Sequence, residues 1–587
     1  MHVPRIPITL LALAVAASAL HGEAPAPDPR NIRTGREIPS ENYADQPYVA
    51  VLPDGAWLCV LTTGPGREGA RGQHVVATRS TDQGRTWSPL VDIEPSDGPE
   101  ASWVVPLVAP FGRVYAFYDY NGDPVRTLRG KPIRADMLGW YAWRWSDDGG
   151  RTWSDRRRLP MRVTACDRGN DWAGKVQIFW GVSKPVVQDG CVFFGFTKLG
   201  KYMLDKGEGW VYRSDNVLTQ RDASRVRWRL LPEGDCGIRR EGFGSVQEEH
   251  VVCPMDTAGT LLCVYRTTTG YACQSRSTDG GRTWSEPRRM TYAPGGRPVK
   301  NPRANVKAWR TADGRYLLWY HNHSGRSFDK RNPAWLAGGI ERDGRIHWSE
   351  PEIVLYDPDP NIRMSYPDLV EQDGRFWITE TQKTVARVHA IAPALLAGLW
   401  GQFDRRSVAT DGLVLDLAAA QCAAGATAKM PALADLSWGG GFSVGVWLRL
   451  DGLDAGQVAL DTRDGEGRGL ALTTAGGGAL RLVLSDGKTD AAWETDPGVL
   501  SVGTWHHVVA TVDGGPKILT FVVDGRLCDG GEARERGWGR LPKGLGRPSG
   551  SGTIRIAPRL DGLVGRVRVY GRYLSTSEAV GNSRAGR

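Results

Sequence analysis

Glu248 and Glu249 stand side by side in the strand-like run Glu248-Glu249-His250-Val251-Val252, and Arg266 closes the next such run, Leu261 to Arg266. Neighbouring strand residues face opposite ways, so one carboxylate can meet a ligand while the other turns back. Glu68 is the only carboxylate between Thr62 and Gln73, a Gly-rich loop. A partly buried carboxyl near other acids can hold a raised pKa suited to proton transfer. Asp45 with Glu249 would form a second acid pair. The segments Asp167 to Trp172, which includes Asp171, Trp180 with Lys184, Asn301-Arg303-Asn305, and His321-Asn322-His323 concentrate the polar and aromatic side chains that hydroxyl-rich ligands require. Two histidines two apart, with no nearby carboxylate in sequence, make no metal site, and no cofactor is expected.

The elements that must position these groups are set by a repeat. Ser80-Thr81-Asp82-Gln83-Gly84-Arg85-Thr86-Trp87 recurs as Ser146 to Trp153 and as Ser277 to Trp284, each reading S-x-D-x-G-R-T-W. Asp can accept bonds from turn N–H groups, Gly supplies positive φ, and Trp packs beneath the turn, so each octamer marks a β-hairpin. Degenerate copies are read at Ser214-Asp215-Asn216, leading to Trp228, and at Arg342-Asp343-Gly344, leading to Trp348. The Asp positions 82, 148, 215, 279 and 343 are then 66, 67, 64 and 64 residues apart. A near-constant period of this kind is one structural unit per repeat.

The octamer is similar to the Asp box of sialidase-like β-propellers. Five boxed units and an unboxed set around Phe376 to Glu380 imply six blades, the ring closed by strands from both ends. In that superfamily three Arg clamp the substrate carboxylate, a Tyr paired with a Glu is the nucleophile, and an Asp is the acid/base. A neutral phenol avoids the repulsion that the sugar's carboxylate would exert on a carboxylate nucleophile. Three guanidiniums suit a carboxylate because the fork bonds it bidentately. The hairpin from Glu248 to Arg266 resembles the family's E-x-x-V-V hairpin ending in its second Arg, and the Val pair selects Glu248 as the Tyr partner. Arg331 matches the third Arg, and Tyr366, in Met364-Ser365-Tyr366-Pro367-Asp368, stands where the nucleophile would be. Arg303, Asn322, Asp171 and Glu249 are expected to line the same funnel. The first Arg is replaced: the matching stretch, Tyr43 to Tyr48, carries Asp45 and Gln46. Glu68 or Asp45 is left for the acid/base role.

From about Ser407 the boxes stop. Phe442-Ser443-Val444-Gly445-Val446-Trp447-Leu448, Gly503-Thr504-Trp505-His506-His507-Val508, Val523-Asp524-Gly525 and Asp561 to Tyr570 together resemble a laminin-G-like, concanavalin-type jelly roll over 407–580. The expected organisation is a signal peptide over 1–24, a propeller over 37–405 and a β-sandwich over 407–580, all-β throughout. Arg5, the apolar run Ile8 to Ala16 and the small residues Ala17-Ser18-Ala19 are the basis for the signal, which implies a secreted or periplasmic protein with no membrane span. Nine cysteines make no disulfide framework, although Cys253 with Cys263, and Cys422 with Cys528, are candidate bridges. A net charge of +9 is dispersed, which fits an anionic glycan and does not form the basic run of a nucleic-acid binder. The function implied is an exo-glycoside hydrolase of the sialidase type with a retaining Tyr/Glu mechanism. The alternatives are a non-catalytic glycan-binding propeller, or a carboxylate-based glycosidase acting on a different sugar.

Overall fold

The computed structural model describes residues 27–203 and 205–587; the expected signal segment, 1–24, lies outside them. Six antiparallel blades, each of four principal strands, follow one another along the chain. Blade 1 holds Tyr43–Val51, Trp57–Gly64, His74–Ser80 and Val91–Asp92; blade 2 holds Ala101–Val108, Val114–Tyr120, Leu138–Ser146 and Arg157–Arg158. Blade 3 is built on Gln177–Trp180, Cys191–Lys201, Asp205–Ser214 and Arg229–Leu231, and is joined to blade 2 where Leu138 and Gly139 pair with Ile178 and Gln177. Blade 4 is built on Gln247–Pro254, Leu261–Thr267, Cys273–Ser277 and Arg288–Arg289. Blade 5 comprises Lys307–Arg310, Tyr316–Tyr320, Ala334–Arg342 and Arg345–Trp348. Blade 6 comprises Leu369–Gln372, Arg375–Thr381 and Ala386–Ala390, and takes its outer strand, Arg36–Ile38, from the start of the chain. That pairing closes the ring and leaves blade 6 with a short outer edge of three residues.

The three full boxes are alike. In each, Ser Oγ bonds the Asp, and the Asp carboxylate accepts from the Thr N–H and hydroxyl four residues on, at 2.9 and 2.6 Å for Asp82 and Thr86. Two expectations need correction. In blade 3 the box position belongs to Asn216 and not Asp215: Ser214 Oγ bonds Asn216, whose Oδ1 accepts from Arg227 N–H at 3.0 Å. Asp343-Gly344 is no box but a two-residue turn between Arg342 and Arg345, both central residues at positive φ.

The inner strands carry a second, less visible repeat. In blades 1, 2 and 4 the ladder slips at Asp45/Tyr48, Ser102/Val105 and Glu248/Val251, with Gln46, Trp103 and Glu249 at φ 52°, 52° and 59°. Blade 6 repeats the pattern: Ser365 pairs Thr381, Asp368 bonds Thr379, and Tyr366 between them has φ 48°. A bulge leaves one residue outside the ladder and re-aims its side chain. Gln46, Trp103, Glu249 and Tyr366 therefore occupy one equivalent place in four blades.

After the helix Pro393–Gly401, the remaining strands form two facing sheets. One is ordered Leu413–Leu417, Gly562–Tyr570, Gly441–Leu450, Trp505–Asp513, Ile518–Val523 and Arg526–Leu527, with Gly539–Arg540 also on Ile518–Val523. The other runs from Thr427–Lys429 through Thr553–Arg559, Val458–Asp461, Gly469–Gly476 and Ala479–Ser485 to Asp490–Glu494. Alternating Leu and Val, among them Val444, Val446, Leu472 and Leu482, fill the space between together with Phe521. All nine cysteines are free. The candidate bridge across the blade 4 hairpin fails on register, because Cys253 faces Leu262 and Cys263 faces Val252, and Cys422 and Cys528 are likewise unbridged. Among the described residues no helix is long and apolar enough to cross a membrane.

Candidate active site

Where the bulges converge, the Tyr366 phenol donates to Glu249 Oε1 at 2.9 Å. The expected partner was Glu248. The bulge explains the correction: it turns Glu249 to the axis and leaves Glu248 in the ladder opposite Arg266. Arg266 joins the two acids, with Nη1 2.7 Å from Glu249 Oε1 and Nη2 2.7 Å from Glu248 Oε2. Arg303 Nη2 sits 3.0 Å from Glu248 Oε1, and Asn305 Nδ2 donates to Glu249 Oε2 at 2.9 Å. Glu248 is thus a partner of two guanidiniums, and the Tyr partner is the residue beside it. The Glu249 backbone is itself pinned by Thr197 Oγ1 at 2.8 Å.

Arg331 is the exception among these cations. It is 4 % exposed, yet its Nη1 donates to Ser365 Oγ at 2.8 Å, its Nη2 to the Arg303 carbonyl at 3.1 Å, and its Nε to nothing among the described residues. No carboxylate lies within ion-pair distance of it there, whereas a buried charge is ordinarily paired. Among the described residues Arg303 Nε and Asn305 Oδ1 are also unpartnered, as are both side-chain amide atoms of the buried Asn322. Unsatisfied buried donors and acceptors gathered in one place are the mark of a polar ligand site.

Across the phenol from Glu249 lies a cation the sequence reading missed. Lys383 Nζ is 4.6 Å from the centre of the Tyr366 ring, 2.6 Å from Asp45 Oδ2 and 3.2 Å from Glu68 Oε1. Asp45 also accepts from Tyr43 at 2.7 Å. Glu68 is held on its other side by Arg134 at 2.8 Å, which bonds Asp136 at 2.6 Å. Blade 1 thus supplies no Arg, and its acid is answered by a Lys from the last hairpin of blade 6. Burial pushes the Asp45 carboxyl up; Lys383 opposes this without fully offsetting it. Burial also raises Glu68, but Lys383 and Arg134 outweigh it and bring that carboxyl to about 2. Burial, and then Glu249, raise the Tyr366 phenol, so it is neutral at rest.

Asp171 does not reach this constellation. Its Oδ2 accepts from the Tyr202 N–H at 2.7 Å, and the Tyr202 hydroxyl accepts from the Arg134 N–H at 2.8 Å, placing Asp171 behind the site. The Asn322 backbone, in turn, is held by the C-terminal domain. Trp538 Nε1 donates to the Asn322 carbonyl at 2.9 Å, and Arg540 Nη2 to the Asn332 carbonyl at 2.6 Å. Lys300 Nζ donates to the carbonyls of Asp529 and Arg534 at 2.8 and 2.7 Å. The segment Asp529 to Arg540 therefore grips the loops that carry Arg303 and Arg331.

Residues 97–378 match the family described as BNR repeat-like domain, and residues 423–579 match the concanavalin A-like lectin/glucanases superfamily. No curated protein matches. Among solved structures, the chain is similar to a Trypanosoma rangeli sialidase in complex with 2,3-difluoro-KDN, at 13 % identity over 92 % of this chain and 93 % of that one, TM-score 0.44. A Hadza microbial sialidase, Hz136, is 16 % identical over 60 % of this chain and 66 % of that one, TM-score 0.42. A point mutant of NanB sialidase from Streptococcus pneumoniae is 13 % identical over 60 % and 69 %, TM-score 0.42. The three Asp boxes and the ring of six blades underlie the match to a BNR repeat-like domain over 97–378, and the two facing sheets underlie the match to a concanavalin A-like domain over 423–579.

Proposed function

We propose that this protein is a retaining exo-glycoside hydrolase of the sialidase type, releasing a terminal acidic sugar from a glycan. The observation that carries the reading is the Tyr366–Glu249 hydrogen bond beside the buried, acid-free Arg331. Arg331, with Arg303 and Asn322, receives the sugar's carboxylate and hydroxyls. Tyr366 Oη then bonds the anomeric carbon while its proton passes to Glu249 and the glycosidic C–O bond breaks. The leaving oxygen takes a proton by way of Glu68, the acid with an exposed edge, its side chain 29 % accessible. In the second half Glu68 takes a proton from water, the water oxygen displaces Tyr366 from the anomeric carbon, and Glu249 returns the phenol's proton. Asp45, fully buried behind Lys383, sets that cation's position. Export through a signal over 1–24 would place the enzyme where such glycans are.

One observation favours glycan binding without turnover: Glu68 is held ionised, to about 2, by two cations, which is unhelpful for protonating a poor leaving group. Incubation with chromogenic α-sialoside, uronide and neutral glycosides separates the readings. Release of aglycone that is lost in Tyr366→Phe supports the hydrolase; silence on every substrate with retained glycan binding supports the receptor.

A further inference from the structure

A sizeable cavity lies away from the funnel. A cleft of about 880 Å³ opens on the outer side of blade 6, and no residue of the candidate active site lines it. Ring closure makes it: Arg36 comes from the closing strand, Arg85 from the blade 1 box, Arg315 from blade 5 and Arg375 from the first hairpin of blade 6. Trp377 and Trp400 are among the apolar side chains beneath them. Among the described residues no Asp or Glu lines the cleft.

The arginines are unequally engaged. Arg315 pairs with Asp313 and lies 3.7 Å over the Trp400 ring. Arg36, Arg85 and Arg375 make no ion pair and no side-chain hydrogen bond among the described residues. Of the equivalent box arginines, Arg151 bonds the Asp148 carbonyl at 2.6 Å, while Arg282, like Arg85, has no side-chain partner among the described residues. Four guanidiniums around a concave, aromatic-floored space form an anion receptor with an apolar base, and the forks suit carboxylate or sulfate oxygens. The volume admits about two or three sugar rings and no nucleic-acid duplex.

We propose that this cleft is a second glycan site, binding an acidic oligosaccharide segment, carboxylated or sulfated, away from the catalytic funnel. It would hold a polyanionic chain while the funnel acts on its ends.

The test is calorimetric titration of the full chain with a chondroitin sulfate hexasaccharide, a neutral hexasaccharide of equal length and an oligothymidylate hexamer. The expected result is binding of the sulfated sugar alone, weakened at least tenfold in Arg85→Glu/Arg375→Glu. Because the protein is basic throughout, Arg227→Glu/Arg229→Glu, on the far exposed edge of blade 3, controls for net charge and should bind like wild type. Tyr366→Phe should also bind like wild type, which keeps this site's failure distinct from failure of the catalytic reading. If the charge-reversal pair in the cleft lowers Tm, Arg85→Ala/Arg375→Ala replaces it. Equal loss in both charge-reversed pairs, equal binding of oligothymidylate, or no binding of the sulfated sugar would overturn the proposal.

Discussion

Tyr366 and Glu249, 117 residues apart, meet through a 2.9 Å hydrogen bond because the same bulge is built into the inner strands of blades 4 and 6. The phenol is neutral and buried, and its acceptor is held by Arg266 and Asn305. On the proposed reading Glu249 would be the base, fixed in place before the substrate arrives, as activation of a weak nucleophile demands.

Replacing either member should therefore be costly. Tyr366→Phe and Glu249→Gln are expected to lower kcat by about a hundredfold or more, with little change in Tm. Glu248→Gln should act on substrate affinity instead, because Glu248 touches Arg266 and Arg303 and not the phenol. Steady-state kinetics on the best substrate of the glycoside panel would check the difference.

Arg331 is expected to be the main anion receptor. Arg331→Ala should raise KM for an acidic sugar about ten- to a hundredfold and Arg331→Lys should not restore it, since an ammonium cannot reproduce the fork. A KM unchanged in both variants would remove Arg331 from the binding role.

The acid limb of stability should reflect Glu68. Its folded pKa, about 2, lies below its ordinary 4.5, so its contribution is present above pH 4.5 and is lost as pH falls toward 2. Lys383→Met removes one of the two cations responsible and should flatten that decline in thermal melts recorded between pH 5 and 2.

Lys307 gives a slope of the same sign in a higher pH window, but as a cost to stability and not a gain. Wholly buried 3.8 Å above the Tyr48 ring, it is lowered by burial from 10.5 to about 7. The unfolded chain then binds the extra proton between pH 7 and 10.5, so this group makes stability rise with pH across that window. Lys307→Met should be more stable than wild type at pH 7, with a shallower rise in Tm toward pH 10.

The C-terminal domain should matter to the site without touching substrate. Trp538→Ala frees the Asn322 carbonyl and removes the tilted ring contact with Trp335, whose ring centre is 6.3 Å away. The expected result is a raised KM with kcat preserved, because the loops bearing Arg331 loosen while the Tyr366–Glu249 pair, on blades 4 and 6, stays fixed.

Local chemistry made the propeller readable. Ser, Asp, Gly and Thr within one octamer satisfy one another, so each full box declares its turn without help from the rest of the chain. Asn216 was misread because Asp215 offered the expected residue type one place too early, while the turn needs its acceptor two residues after Ser214. Resemblance points to Tyr366, whose phenol bonds a Glu in the structure, but telling Glu249 from Glu248 as that partner needs the ladder slip, which strand pairing sets and residue type does not. Lys383, Arg134 and Asp136 lie on connecting loops with no periodic signal, and only ring closure brings Lys383 to Asp45. The missing first Arg was visible; its compensation by a cation 338 residues away was not.

The most direct test of the central claim is to trap the intermediate. The protein would be incubated with an acidic glycosyl fluoride that carries a second fluorine beside the anomeric carbon, which slows breakdown of a covalent adduct, and then digested and mapped by mass spectrometry. The account predicts one glycosyl group on the peptide containing Tyr366, absent in Tyr366→Phe. An adduct on Asp45 or Glu249, or turnover that Tyr366→Phe leaves intact, would contradict it.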